Sequence, residues 1–150
     1  MTSISSSSSA SSTSSVTQAP AARWTGRILF GLTVAFMLMD SAFKFMPASQ
    51  PVIDSFMQLG YDPAVAPVIG VLSLTCTVLY AWPRTAAWGA LLLTGYLGGA
   101  VATHFRVGNP LASHTLFPIY IALLAWGGLY FRDARVRQLF SFRTGGSDRA

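Results

Sequence analysis

Asp40 and Lys44 stand four residues apart inside the first strongly apolar stretch of a chain with only five acidic residues among its 150. A charge near the centre of a membrane-spanning helix costs roughly 2.5 to 3.5 kcal/mol on insertion scales, so such residues are few and face a polar interior. At i, i+4 spacing with the acid first, the two can neutralise one another on one helix face, the lysine stem reaching toward the interface. Further along, His104, Arg106, Asn109 and His114 gather around a Gly-Asn-Pro turn, with Tyr96 and Tyr120 nearer mid-helix. Histidine changes charge near neutral pH. A carboxylate, an amine and two imidazoles together could hold the polar head of a ligand or relay protons.

These residues need elements to position them. The chain is 52% hydrophobic and 10% charged, far more apolar than a soluble domain. Four apolar segments are expected to span a membrane, at about 24–46, 63–82, 86–105 and 114–131. Each is close to the ~20 residues that cross a ~30 Å hydrocarbon core. Pro47 closes the first, Asp62 before Pro63 reads as an N-cap followed by proline at the first helical position, and Pro83 ends the second. The second and third segments are apolar almost all round, which a soluble bundle helix would not be, and no ten-residue alternation suggests a β-barrel.

Between the first two spans, Val52, Ile53, Phe56 and Met57 fall on one helical face, with Pro51 at a plausible start and Gly60 at a plausible stop. A short interfacial helix is expected there. The fold expected is thus all-α, an integral membrane four-helix bundle. Its domains read as a disordered Ser-rich N-terminus over 1–22, a four-helix transmembrane domain over 23–137, and a basic cytoplasmic tail over 138–150. The Ser-rich tract lacks the basic start and apolar centre of a secretory signal, so the first span is expected to stay in the mature protein.

With four spans, Arg23, Arg27, Arg84, Arg132, Arg135, Arg137, Arg143 and Arg149 share one side, and only Lys44 and Arg106 lie on the other. This bias predicts cytoplasmic termini. Trp24, Trp82, Trp88 and Trp126 lie toward the same side. Asp40 then falls about 13 residues past Arg27, roughly 20 Å in and beyond the bilayer centre, so topology brings Asp40, Lys44, His104, Arg106, Asn109 and His114 to the outer end. Gly95, Gly99 and Thr103 at four-residue spacing, with Gly98, predict close helix contact, as do Gly127 and Gly128. Pro118 leaves the His114 carbonyl without its helical donor.

Several function classes are excluded. The basic residues are dispersed among apolar segments, so no nucleic acid is expected. The single cysteine, Cys76, rules out an intramolecular disulfide framework, CxxC chemistry and a Cys-rich zinc site, and reads as a small hydrophobe. The spacing of His104 and His114 crosses a turn, and no HxxxH or ExxH pattern accompanies it, so no metal is expected. No GxSxG, HExxH, P-loop or GxGxxG fingerprint assigns a catalytic residue.

The first span with Asp40, Ser41, Lys44 and Phe45, the stretch GYLGGAVATHFRVGNP at 95–110 and WGGLYFRDARVR at 126–137 together resemble the DoxX-like family of small bacterial four-helix membrane proteins. The resemblance covers about residues 24–140. It implies a multi-pass protein of the bacterial inner (cytoplasmic) membrane, with a link in certain members to quinone-dependent sulfur oxidation or other membrane redox complexes, and supplies no catalytic residues. Three functions are compatible with these residues. One is a structural or accessory subunit, partnered by another membrane protein or a second copy. The second is a quinone-binding oxidoreductase component, with quinone as its cofactor. The third is a small-molecule transporter or exporter in which the Asp40/Lys44 pair breaks and re-forms. The partner common to all three is the lipid bilayer.

Overall fold

A computed structural model describes residues 20–46 and 49–140. The Ser-rich tract up to residue 19, Pro47 and the tail from 141 onward lie outside the described residues. The chain forms α1 (Pro20–Lys44), α2 (Gln50–Gln58), a 3-10 turn (Pro63–Val65), α3 (Ala66–Ala81), α4 (Ala86–Arg106), a π-helical turn (Leu111–Thr115), α5 (Phe117–Arg132) and α6 (Ala134–Phe140). Among the described residues there is no strand, and four stretches are long and apolar enough to cross a membrane: Ala21–Lys44, Pro63–Ala81, Ala86–Arg106 and Leu111–Arg132. The fold is an all-α membrane bundle with a short helix between its first two spans.

Local chemistry sets the breaks. The Asp62 carboxylate accepts from Ala64 N at 2.9 Å and starts the 3-10 turn that leads into α3, as an N-cap before proline should. Pro118 cannot donate a backbone bond, so the last span opens with a π-helical turn and α5 begins afresh at Phe117. Asp133 adopts extended backbone and its Oδ1 accepts from Arg135 N at 2.9 Å, starting α6. The sequence reading had treated that stretch as part of a tail; the cap makes it a helix, and Val136 is buried in the core.

The four long helices alternate in direction, α1 and α4 each packing against α3 and α5. Their inward faces hold small and polar residues. On α3 these are Ala66, Gly70, Ser73, Cys76, Thr77 and Tyr80, while Val68, Val71, Leu72 and Val78 face outward. That pattern suits lipid, where no hydrophobic force drives helices together and close backbone packing takes its place. A Cβ at Gly89 would lie 2.1 Å from Tyr80 N, and one at Gly128 2.8 Å from Phe30 N, so these glycines permit the α3/α4 and α1/α5 crossings.

The contact expected for Gly95, Gly98 and Gly99 is not made within the chain. A Cβ at any of the three would meet nothing within 4 Å. The inward stripe of α4 is Ala86, Gly89, Ala90, Leu93 and Leu97, and once Gly89 sits on Tyr80 the helix rotation turns the other glycines outward.

Candidate functional site

The polar residues fall into two groups joined by α2. In the first, Lys44 Nζ pairs with Asp40 Oδ1 along one face of α1. The other carboxylate oxygen accepts from Ser73 Oγ on α3 and Tyr96 Oη on α4, each at 3.4 Å. Ser41 Oγ in turn donates to Ser73 Oγ at 2.9 Å. Three long helices therefore converge on one carboxylate. The pair is only partly shielded, with 15% of the Lys44 side chain and 29% of the Asp40 side chain exposed.

Both charged residues line a groove of ≈ 350 Å³ whose other walls are Phe43 of α1 and Pro51, Val52, Ser55 and Phe56 of α2. Ser55 Oγ donates to Pro51 O at 2.7 Å, so its hydrogen is engaged. Lys44 Nζ has three N–H donors; one reaches Asp40 Oδ1 and another the Asp40 carbonyl at 3.4 Å. At least one remains. The groove thus offers an ammonium donor beside apolar walls.

The second group is organised by two copies of one turn. At the end of α2, Gly60 has φ +74°, Gly60 N donates to Met57 O and Tyr61 N to Phe56 O, and the Phe56 and Tyr61 rings lie 6.4 Å apart. This is a Schellman stop with its apolar contact. At the end of α4, Gly108 has φ +71°, Gly108 N donates to Phe105 O and Asn109 N to His104 O, the same motif. The second turn folds Asn109 back so that its Nδ2 and His104 Nδ1 are 2.8 Å apart. His104 and His114 rings lie 6.2 Å apart, and Ser113 Oγ is 2.8 Å from His114 Nδ1. Among the described residues no three His, Cys, Asp or Glu come together as metal ligands would.

The two turns also meet. Arg106 Nη2 donates to Leu59 O at 2.8 Å, Tyr61 Oη and Thr103 Oγ1 lie 3.1 Å apart, and Gln58 Nε2 donates to Asn109 Oδ1 at 3.4 Å. Arg106 thereby satisfies a carbonyl at the end of α2. Of α2's expected apolar face, Phe56 is buried and Val52 and Ile53 are half-buried, but Met57 is exposed.

The sequence-predicted residues are thus divided. Asp40, Lys44 and Tyr96 meet at the groove; His104, Asn109 and His114 meet at the end of α4; Arg106 holds α2; Tyr120 is exposed and joins neither group. Among the described residues no hydrogen bond or ion pair links Asp40 to either histidine. Ser73 and the α2 wall were missed by sequence reasoning. Ser73 had a readable signal, since with Thr77 it places two hydroxyls one turn apart in an otherwise apolar helix.

No curated protein and no solved structure matches the chain. A family model described as the DoxX-like family matches residues 28–128, from the first span to the last. The chain is a membrane protein that belongs to the DoxX-like family.

Proposed function

We propose that the protein is an accessory subunit of a membrane complex that holds the head of an amphipathic ligand of the quinone class in the α1/α2 groove. The observation that carries this reading is that Asp40 and Lys44 line a cavity with apolar walls. The carboxylate is committed to Lys44, Ser73 and Tyr96, whereas the ammonium keeps a donor for an incoming oxygen. A quinone carbonyl is such an acceptor, and an isoprenoid chain suits the walls. In this reading the partner supplies the electron donor and the groove fixes the ring. Eight of the ten basic residues fall on the side of the termini, which supports cytoplasmic termini and an outward-facing groove in a bacterial inner membrane.

Transport would require the ion pair to part as substrate passes. The hydroxyls that hold Asp40 from two further helices favour a fixed site instead. The test is purification of the full chain in lipid nanodiscs, with co-purified quinones and proteins quantified by mass spectrometry. A Val52→Trp variant would fill the groove while leaving Asp40 and Lys44 in place. Quinone retained by the wild type and lost from the variant, together with a stoichiometric protein partner, is the expected result. Equal retention by the two, or none by the wild type, removes the quinone reading; absence of any partner removes the accessory role.

A further inference from the structure

At the end of the bundle remote from the groove, positive charge accumulates with little acid to balance it. Arg23 and Arg27 on α1, Arg84 in the α3–α4 turn, Arg132 at the end of α5, and Arg135 and Arg137 on α6 share that end, among the described residues, with Asp133 alone. Asp133 is occupied in capping α6. The ion pair found among the described residues is the one at the opposite end, Asp40 with Lys44.

Arg132 is the best-placed member. It is half-buried, and its guanidinium carbon lies 3.8 Å from the centroid of the Phe30 ring. That ring packs at 5.2 Å on Tyr80, which is fully buried and donates to Ala125 O at 2.9 Å. The platform beneath the guanidinium is therefore fixed. A stacked guanidinium keeps its N–H fork in plane, with five donors matched to two oxygens of a phosphate. The α1/α5 seam is close here, since a Cβ on Gly26 would lie 3.3 Å from Arg132 N. Arg27 follows Gly26 directly, with its guanidinium carbon 5.5 Å from the Trp24 ring centroid.

The surroundings are those of a membrane interface. Trp24, Trp82 and Trp88 are 63%, 62% and 68% exposed at this end, where indoles settle at headgroup depth. Ile28 and Leu32 continue outward-facing along α1, offering apolar surface for acyl chains.

We propose that the α1/α5 seam at this basic end binds the phosphate headgroup of an anionic phospholipid, with Arg132 on its Phe30 platform as the bidentate ligand and Arg27 as a second cation. Free phosphate shares the head chemistry but has no chain for the apolar face beside it.

The test uses the full chain in a neutral detergent, titrated separately with phosphatidylglycerol, phosphatidylcholine and inorganic phosphate, reading bound adducts by native mass spectrometry and Tm by circular dichroism. Phosphatidylglycerol is expected to bind and raise Tm, with the other two much weaker. Arg132→Gln should weaken phosphatidylglycerol binding roughly tenfold. Arg132→Lys, which keeps the charge and loses the fork, and Phe30→Leu, which loses the platform, should each weaken it in part. Arg106→Gln, at the other end, should not. If Arg132→Gln fails to fold, the lysine and leucine variants decide. Equal binding of the two lipids, wild-type affinity in both Arg132→Lys and Phe30→Leu, or a Tm rise with inorganic phosphate as large as with the lipid would overturn the proposal.

Discussion

Removing the Asp40 charge should destabilise the bundle more than removing the Lys44 charge, and removing both should cost no more than the milder single change. Breaking a buried pair by deleting one partner costs about 3–5 kcal/mol, whereas an exposed pair is worth about 0–1 kcal/mol. With 15% of Lys44 and 29% of Asp40 exposed, this pair lies between those limits. After Asp40→Asn the ammonium keeps only a neutral amide oxygen and the Asp40-position carbonyl, now at 3.4 Å, and a cost of about 2 kcal/mol follows. After Lys44→Met the carboxylate still accepts from Ser73 and Tyr96, so about 1 kcal/mol is expected. The double variant leaves neither charge, costs about 1 kcal/mol, and gives a coupling of about 2 kcal/mol. Reversible unfolding of the four proteins in mixed micelles, titrated with dodecyl sulfate and followed by far-UV circular dichroism, measures the cycle. Single effects that add to within about 0.5 kcal/mol would show that the two residues do not support one another. A larger loss for Lys44→Met than for Asp40→Asn would show that the α3 and α4 hydroxyls do not sustain the carboxylate.

The same titration separates two kinds of glycine: Gly89→Ala and Gly128→Ala, whose Cβ atoms would lie 2.1 Å and 2.8 Å from neighbouring backbone, should lose at least about 1–3 kcal/mol. Gly98→Ala, with nothing within 4 Å, should be neutral or gain up to about 1 kcal/mol; a loss equal to that at Gly89 would refute the packing account. Arg106→Gln removes the 2.8 Å bond to Leu59 O and should speed amide exchange in α2 about tenfold with α3 to α5 unchanged. Unaltered exchange in α2 would show that Arg106 does not hold it.

Element lengths and breaks were legible because they rest on local chemistry. Asp62 with Pro63, Pro83, Pro118, Gly60 and Gly108 each act within a few residues, and a single chain displays them fully. Helix rotation was not legible. In a soluble helix the polar face marks solvent, but α4 is apolar on both sides and must be oriented by volume alone. The spacing of Gly95, Gly99 and Thr103 matched a packing stripe, yet Gly89 and Leu93 set the rotation. The pairing of Asp40 with Lys44 was readable from four-residue spacing. Its extension to Ser73 and Tyr96 needed the crossing of α1 with α3 and α4, which no one-dimensional pattern contains. The α2 wall was equally hidden, because its apolar face predicts burial without naming the surface it covers.

That wall explains what the outer histidine group contributes. α2 is nine residues long, too short to be stable alone, and Phe56 is its buried anchor. Its position over Lys44 therefore depends on what fixes its end. The fixing is polar: Arg106 to the Leu59 carbonyl, Tyr61 to Thr103 and Gln58 to Asn109. Each bond requires a left-handed glycine to have turned the chain back, Gly60 to present Tyr61 and Gly108 to present Asn109. His104 holds Asn109 through its ring nitrogen. The residues first grouped as one polar pocket thus divide by task, with Asp40, Lys44, Ser73 and Tyr96 forming the polar floor of the groove while Arg106, Asn109 and His104 hold its far wall in place. A change at His104 should consequently reach the groove through α2, with no direct contact to Lys44.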